Sequence, residues 1–205
     1  MNRTYDNLKQ TVLSLGYKWF PEDLHLNFIW ERTDDIITNK FTDFLHVAWI
    51  EDEVESVITI PATTKPGLKG AVMEPVTVNG VTGTSVIIPG QYIDAWQFRD
   101  TTTEFSKYPY FRQIGKIDYW RDNRDTNIAD EAVQKQEQDN ELHETHWHRM
   151  SPIDGYGSGQ INNWSEGCMG AATPEWKKIL PITRKSVLYW DVKFTGTIIL
   201  TIDFN

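Results

Sequence analysis

The 205-residue sequence predicts a mostly β domain carrying two short helices. Three observations point there. Runs of alternating or β-branched residues recur from Leu45 onward, and an Asn-Gly pair sits between two of them. Helical periodicity is confined to residues 5–16 and to a stretch that starts at Thr173.

The elements follow in order. Tyr5, Leu8, Val12 and Leu15 recur at helical spacing, and Gly16 is placed to end that helix. Leu45, Val47 and Trp49 alternate with His46 and Ala48, which predicts a half-buried strand. Val57-Ile58-Thr59-Ile60 reads as a strand closed by Pro61. Val76-Thr77-Val78 and Val81-Thr82 flank Asn79-Gly80, whose tolerance of positive φ suits a tight hairpin turn. Val86-Ile87-Ile88 is a strand ending at Pro89-Gly90. The polar stretch from Ala129 to Glu144 reads as a solvated loop or exposed helix. Thr173 as N-cap, Pro174 in the first helical position and Glu175 at the positive helix end predict a helix to about Leu180, ahead of Pro181. Thr197–Ile202 predicts a buried strand. No internal repeat or low-complexity tract is present.

Composition narrows the function classes. A net charge of −9 argues against nucleic-acid binding, which needs a basic patch, and against adhesion to anionic membranes. No segment approaches the roughly 20 apolar residues of a membrane span, so no membrane insertion is expected. The first residues lack the basic-then-apolar pattern of a signal peptide. The expectation is action inside a cell or delivery by another route. The nine tryptophans suit an aromatic core, the alternative being a surface that stacks on sugars or peptides.

The one cysteine lies in Trp164-Ser165-Glu166-Gly167-Cys168, after the cluster His143-x-x-His146-x-His148. A lone cysteine forms no internal disulfide, which leaves a reactive thiol, a metal ligand or core filling. Gly167 permits a tight turn beside a substrate. The backbone N–H groups of Glu166, Gly167 and Cys168 are candidates for an oxyanion hole. A nearby imidazole, His148 first among the three, is the candidate base. The Gly-rich stretch Asp154–Gln160, with Tyr156 in it, is either a loop over the site or a plain connection. Two metal readings also stand. His143, His146, His148 and Cys168 are zinc-ligand types, although their spacing matches no familiar signature. Asp122, Asp125 and Asp130 lie in a segment rich in oxygen ligands, which suits either a structural Ca2+ or turns held by Asx side chains.

His148-Arg149 followed by Trp164-Ser165-Glu166-Gly167-Cys168 resembles the YkuD-type L,D-transpeptidase catalytic domain, and more closely its phage-encoded relatives with a Trp-Ser-x-Gly-Cys motif. Thr38-Asn39-Lys40-Phe41, Ala62-Thr63-Thr64-Lys65-Pro66-Gly67, Gly90-Gln91-Tyr92 and Tyr119-Trp120-Arg121-Asp122-Asn123 resemble those relatives in the same order. The resemblance covers roughly residues 25–205 and leaves residues 1–24 as a helical extension. It implies a mostly β catalytic fold, a β-sandwich or barrel, to which the residue pattern adds one helix N-terminal and one after the cysteine. It further implies a Cys168 nucleophile, a His148 base and a thioester formed on peptidoglycan stem peptides, with no cofactor required. Arg149, Ser165, Trp164 and Tyr156 would be substrate contacts. Two positions depart from the family: its second histidine is Glu166 here, and its arginine after the cysteine is Gly170. A phage lysis or virion protein, acting at the cell wall, would need no signal peptide of its own. The rival expectations are a non-catalytic phage structural or wall-binding module on the same fold, and a zinc-dependent hydrolase using the histidine cluster.

Overall fold

The structure is a computed structural model and describes residues 3–34, 39–67, 77–78, 81–82, 84–100, 108–122, 135–137, 144–150, 160–161 and 164–204. Helix α1 (Tyr5–Ser14) leads into strands β1 (Asn27–Arg32), β2 (Asp43–Glu51) and β3 (Val54–Ala62). Then come β4 (Thr77–Val78), β5 (Val81–Thr82), β6 (Thr84–Ile87), β7 (Gly90–Arg99), β8 (Tyr110–Gln113), β9 (Asp118–Asp122) and β10 (Lys135–Glu137). Strands β11 (Trp147–Arg149) and β12 (Met169–Ala171) precede helix α2 (Thr173–Ser186), strand β13 (Lys193–Leu200) and a 3-10 turn, Thr201–Asp203. The fold is mostly β with one N-terminal and one later helix, as the sequence predicts.

Eight strands form one sheet in the order β12-β11-β8-β7-β13-β1-β2-β3. Its two edges meet. Thr63, just past β3, exchanges backbone hydrogen bonds of 2.8 and 3.0 Å with Gly170 of β12. That pair rolls the sheet into a nearly closed barrel. A three-stranded sheet β10-β9-β6 and the hairpin β4-β5 stand apart from it.

Pleating explains the core. Phe28 and Trp30 of β1 point into the barrel beside Phe111, Trp147, Phe194 and Trp96, and the Trp96 and Trp147 rings stack at 4.3 Å. Trp176, Ile179, Leu180 and Ile182 of α2 pack into this same cluster. The alternate residue Ile29 faces the opposite side, where Tyr5, Leu8 and Val12 of α1 cover it together with Ala48 and Ile199. Strand β2 is therefore buried on both faces rather than one, and His46 and Ala48 are as inaccessible as Leu45 and Val47. Trp30, Trp96, Trp147 and Trp176 are all fully buried, so the tryptophans chiefly build the interior.

α1 begins where Thr4 caps it, its hydroxyl accepting the Asn7 N–H, and turns off at Gly16 with φ +77°. Leu15 is exposed, outside the buried face. Beside α1, Glu31 is buried against Arg3, His46 and Thr201. Burial favours its neutral form, but hydrogen bonds from His46, Arg3 and Thr201 prevail and hold its pKa down to about 2.

Five expectations need correction. The N-cap of α2 is Ala172, with no side-chain cap bond, so Thr173 and Pro174 are its first and second helical residues. α2 does not stop before Pro181 but runs on to Ser186. The missing N–H of Pro181 is offset by the burial of Ile182 and Thr183. β3 likewise continues through Pro61, which a strand at a sheet edge accommodates. Lys135–Glu137, inside the stretch read as loop or helix, pairs with Asp118–Trp120 as a strand. The last strand ends at Leu200, where the chain tightens into the 3-10 turn. β4 and β5 pair as the Asn-Gly signal requires, while Asn79 and Gly80 lie outside the described residues. Among the described residues, no helix is long and apolar enough to cross a membrane.

Candidate active site

The turn before Cys168 is built by one hydroxyl and one glycine. Buried Ser165 accepts the Gly167 N–H at 3.2 Å and donates to the Cys168 carbonyl at 2.6 Å. Gly167 has φ +132°, and a Cβ there would lie 2.8 Å from the Ser85 Cβ and carbonyl oxygen. Both the backbone conformation and the packing therefore require glycine. The Gly67 N–H bonds the Ser165 carbonyl at 2.9 Å, tying the turn to the segment after β3. Because the Gly167 N–H is engaged, the amides of Glu166 and Cys168 are those without a hydrogen bond to another described residue.

Strand register places the chemistry. β11 and β12 run parallel with His148 opposite Gly170, and the Met169 N–H bonds the His146 carbonyl at 2.9 Å. Trp147 and Met169 point into the core. By alternation His146, His148, Cys168 and Gly170 belong to the other face.

The two described imidazoles differ in tautomer. His148 Nδ1 lies 2.7 Å from the Arg149 carbonyl oxygen and donates to it, which leaves Nε2 with its lone pair. His146 Nδ1 accepts the Gln113 N–H at 3.2 Å, so its neutral ring carries the proton on Nε2. Burial, then the Arg149 charge, lowers the His148 pKa against the opposing bond to Arg149. Burial and the charges of His148 and Arg112 bring His146 down to about 4. Both rings are neutral near pH 7, and His148 has the form a general base needs.

Cys168 is half-buried, and its thiol donates to the Glu144 carbonyl oxygen at 3.5 Å. Burial first, then the Glu144 and Glu166 carboxylates, push it up to about 11 against the backbone N–H of His146 that favours the thiolate. The resting pair is a neutral thiol and a neutral imidazole. At about pH 7.5 fewer than about one molecule in a thousand carries the thiolate. Iodoacetamide is therefore expected to alkylate Cys168 at least about tenfold more slowly than free cysteine at that pH. The rate should rise about tenfold per pH unit towards pH 11, since only the thiolate reacts. A plateau already near pH 8.5, read by mass spectrometry of the Cys168 peptide, contradicts the neutral-thiol state.

Other expected site residues fall in different places. Ser165 is in the turn and Trp164 stands at its start, half-buried. Arg149 points to the opposite side of β11 from His148 and lies over the Tyr108 ring. His143, Tyr156, Asp125 and Asp130 lie outside the described residues, and Asp122 is described only as the backbone end of β9. Among the described residues, no three His, Cys, Asp or Glu side chains converge as a metal site.

A buried charged cluster under the turn is not singled out by sequence reasoning. Lys65 Nζ reaches Asp34 Oδ1 at 2.9 Å and Asp43 Oδ1 at 3.3 Å. Asp43 Oδ2 accepts the Thr64 N–H and hydroxyl, both at 2.8 Å. The Thr64 hydroxyl oxygen accepts from Arg32 Nε at 2.8 Å. This network fixes the segment whose Thr63 closes the barrel and whose Gly67 holds Ser165. The segment Ala62–Gly67 carries a signal only as a stretch of resemblance; its charge partners Arg32 and Asp43 carry none.

No family model, curated protein or solved structure matches the chain.

Proposed function

We propose that the chain is a cysteine-dependent peptidoglycan-modifying enzyme, an L,D-transpeptidase or L,D-peptidase acting on stem peptides at the cell wall, encoded by a phage. The observation that supports it most is the pairing of β11 with β12. It puts Cys168 and His148 on one face, with the His148 Nε2 lone pair kept available by the Arg149 carbonyl.

The chemistry follows from that arrangement. Sγ leaves the Glu144 carbonyl and attacks the peptide carbonyl carbon while His148 Nε2 takes its proton. The oxyanion that forms accepts the Glu166 and Cys168 N–H groups. Its collapse breaks the C–N bond, His148 returns the proton to the departing amine, and a thioester to Cys168 remains. An acceptor amine or a water, deprotonated by His148, then attacks the thioester and releases the thiol.

Carbapenems acylate the cysteine of L,D-transpeptidases as a class. Incubation with one is expected to add a single carbapenem mass to the peptide that contains Cys168. A second reading, a wall-binding module without catalysis, is favoured by the thiol resting on the Glu144 carbonyl and pushed up to about 11. Absence of the adduct together with retained binding to sacculi selects that reading.

A further inference from the structure

A concave site lies on the far side of β11 from Cys168. Between α2 and the start of β8 is a pocket of about 380 Å³ lined by Tyr108, Pro109, Arg149, Trp176, Lys177 and Leu180, among others. That volume is at the small end of ligand pockets, which span roughly 300–1,000 Å³. Its walls are apolar: the faces of Pro109, Trp176 and Leu180 line it, and the Trp176 indole N–H is already bonded to the Pro109 carbonyl at 3.1 Å.

Its polar content is cationic. The Arg149 guanidinium lies flat over the Tyr108 ring, 3.0 Å from the centroid, and is held there as a rigid plane. Its Nη1 is buried, with no hydrogen-bond partner among the described residues. A buried, unpaired donor on a charged group is costly, and an oxygen from a bound anion would remove that cost. Lys177 and Arg184 also line the pocket. Arg184 pairs with Asp100 at 2.8 Å, and Glu175 pairs with Lys178. The positive end of the fourteen-residue α2 opens on the same side, at Thr173. In a chain of net charge −9, three cationic side chains thus line one apolar hollow.

We propose that this pocket binds a carboxylate joined to an apolar body, the carboxylate on the Arg149 guanidinium and the body between Pro109, Trp176 and Leu180. Such a ligand is either a free small acid or the C-terminal residue of a peptide. The site does not depend on chemistry at Cys168.

The test is titration of the full chain, followed by the Trp176 indole N–H signal in NMR spectra. The probes are 3-phenylpropionate with its uncharged amide, and acetyl-Ala-Phe as free acid and as amide. At least one acid is expected to give a saturable shift, with its amide about tenfold or more weaker. Arg149→Gln should weaken the acid by a similar factor, and Cys168→Ala should leave it unchanged. Binding of phenylpropionate alone identifies a free acid; tighter binding of the dipeptide acid identifies a peptide C-terminus. The proposal is overturned if neither acid saturates by about 20 mM, if acid and amide bind alike, or if folded Arg149→Gln binds as the parent does. Should Arg149→Gln fail to fold, the acid–amide contrast in the parent chain decides. Loss of wall activity in the Cys168 variant with binding intact separates this site from the proposed catalytic one.

Discussion

Cys168→Ala is expected to lower turnover of muropeptides by on the order of 10⁴-fold or more, as loss of a nucleophile does elsewhere. The fold should survive the change. The sulfur is half-buried, and the one hydrogen bond it donates is long, so its loss costs under about 1 kcal/mol. Mass spectrometry of muropeptides after incubation measures turnover, and a thermal melt measures stability. A variant that keeps full activity rules out the thioester route and turns attention to the histidines as metal ligands. His148→Gln sharpens the same experiment. Glutamine retains a side-chain donor for the Arg149 carbonyl but supplies no base, so activity should fall with the strand intact.

Gly170→Ala is expected to be the most destabilising single-methyl change in the barrel. A Cβ at this position would overlap the His148 carbonyl oxygen and lie 2.8 Å from the Met150 Cε. β12 cannot move aside, because both backbone groups of Gly170 are bonded to Thr63 at the seam. The cost should reach about 3 kcal/mol or more, which for a chain of this size lowers Tm by on the order of 6–12 °C. Gly90→Ala is the control. The nearest atom to its added Cβ is the Tyr92 hydroxyl oxygen at 3.5 Å, an ordinary contact, and the melt should shift by much less. Equal shifts for the two variants would contradict the seam's tight packing. The same geometry explains why an arginine, as the resembled family carries after its cysteine, has no room in this chain.

Local chemistry was readable where one short segment decides it. The presence of a helix from Thr173, though not its cap, the Asn-Gly hairpin and the need for glycine before Cys168 each depend on a few adjacent residues. The β2–β3 turn was missed because Asp52 and Glu53 both adopt positive φ without a glycine to announce it. What pairs with what was not readable. The contact between Thr63 and Gly170, the Arg32–Thr64–Asp43–Lys65 cluster and the tautomers of His146 and His148 depend on strands brought together from distant positions. The same limit hid the second burying face of β2, since alternation predicts one buried face and says nothing of a helix laid over the other.

The placement of β13 has a consequence for aggregation. It lies in the middle of the sheet, antiparallel to β7 and parallel to β1. Without residues 193–200, β7 and β1 would each present an unpaired inner edge, and the strands on either side would be joined through the Thr63–Gly170 pair. Such edges are adhesive to other chains, and pairings between distant segments close slowly. A chain whose β13 is removed or mispaired is therefore expected to aggregate through those edges.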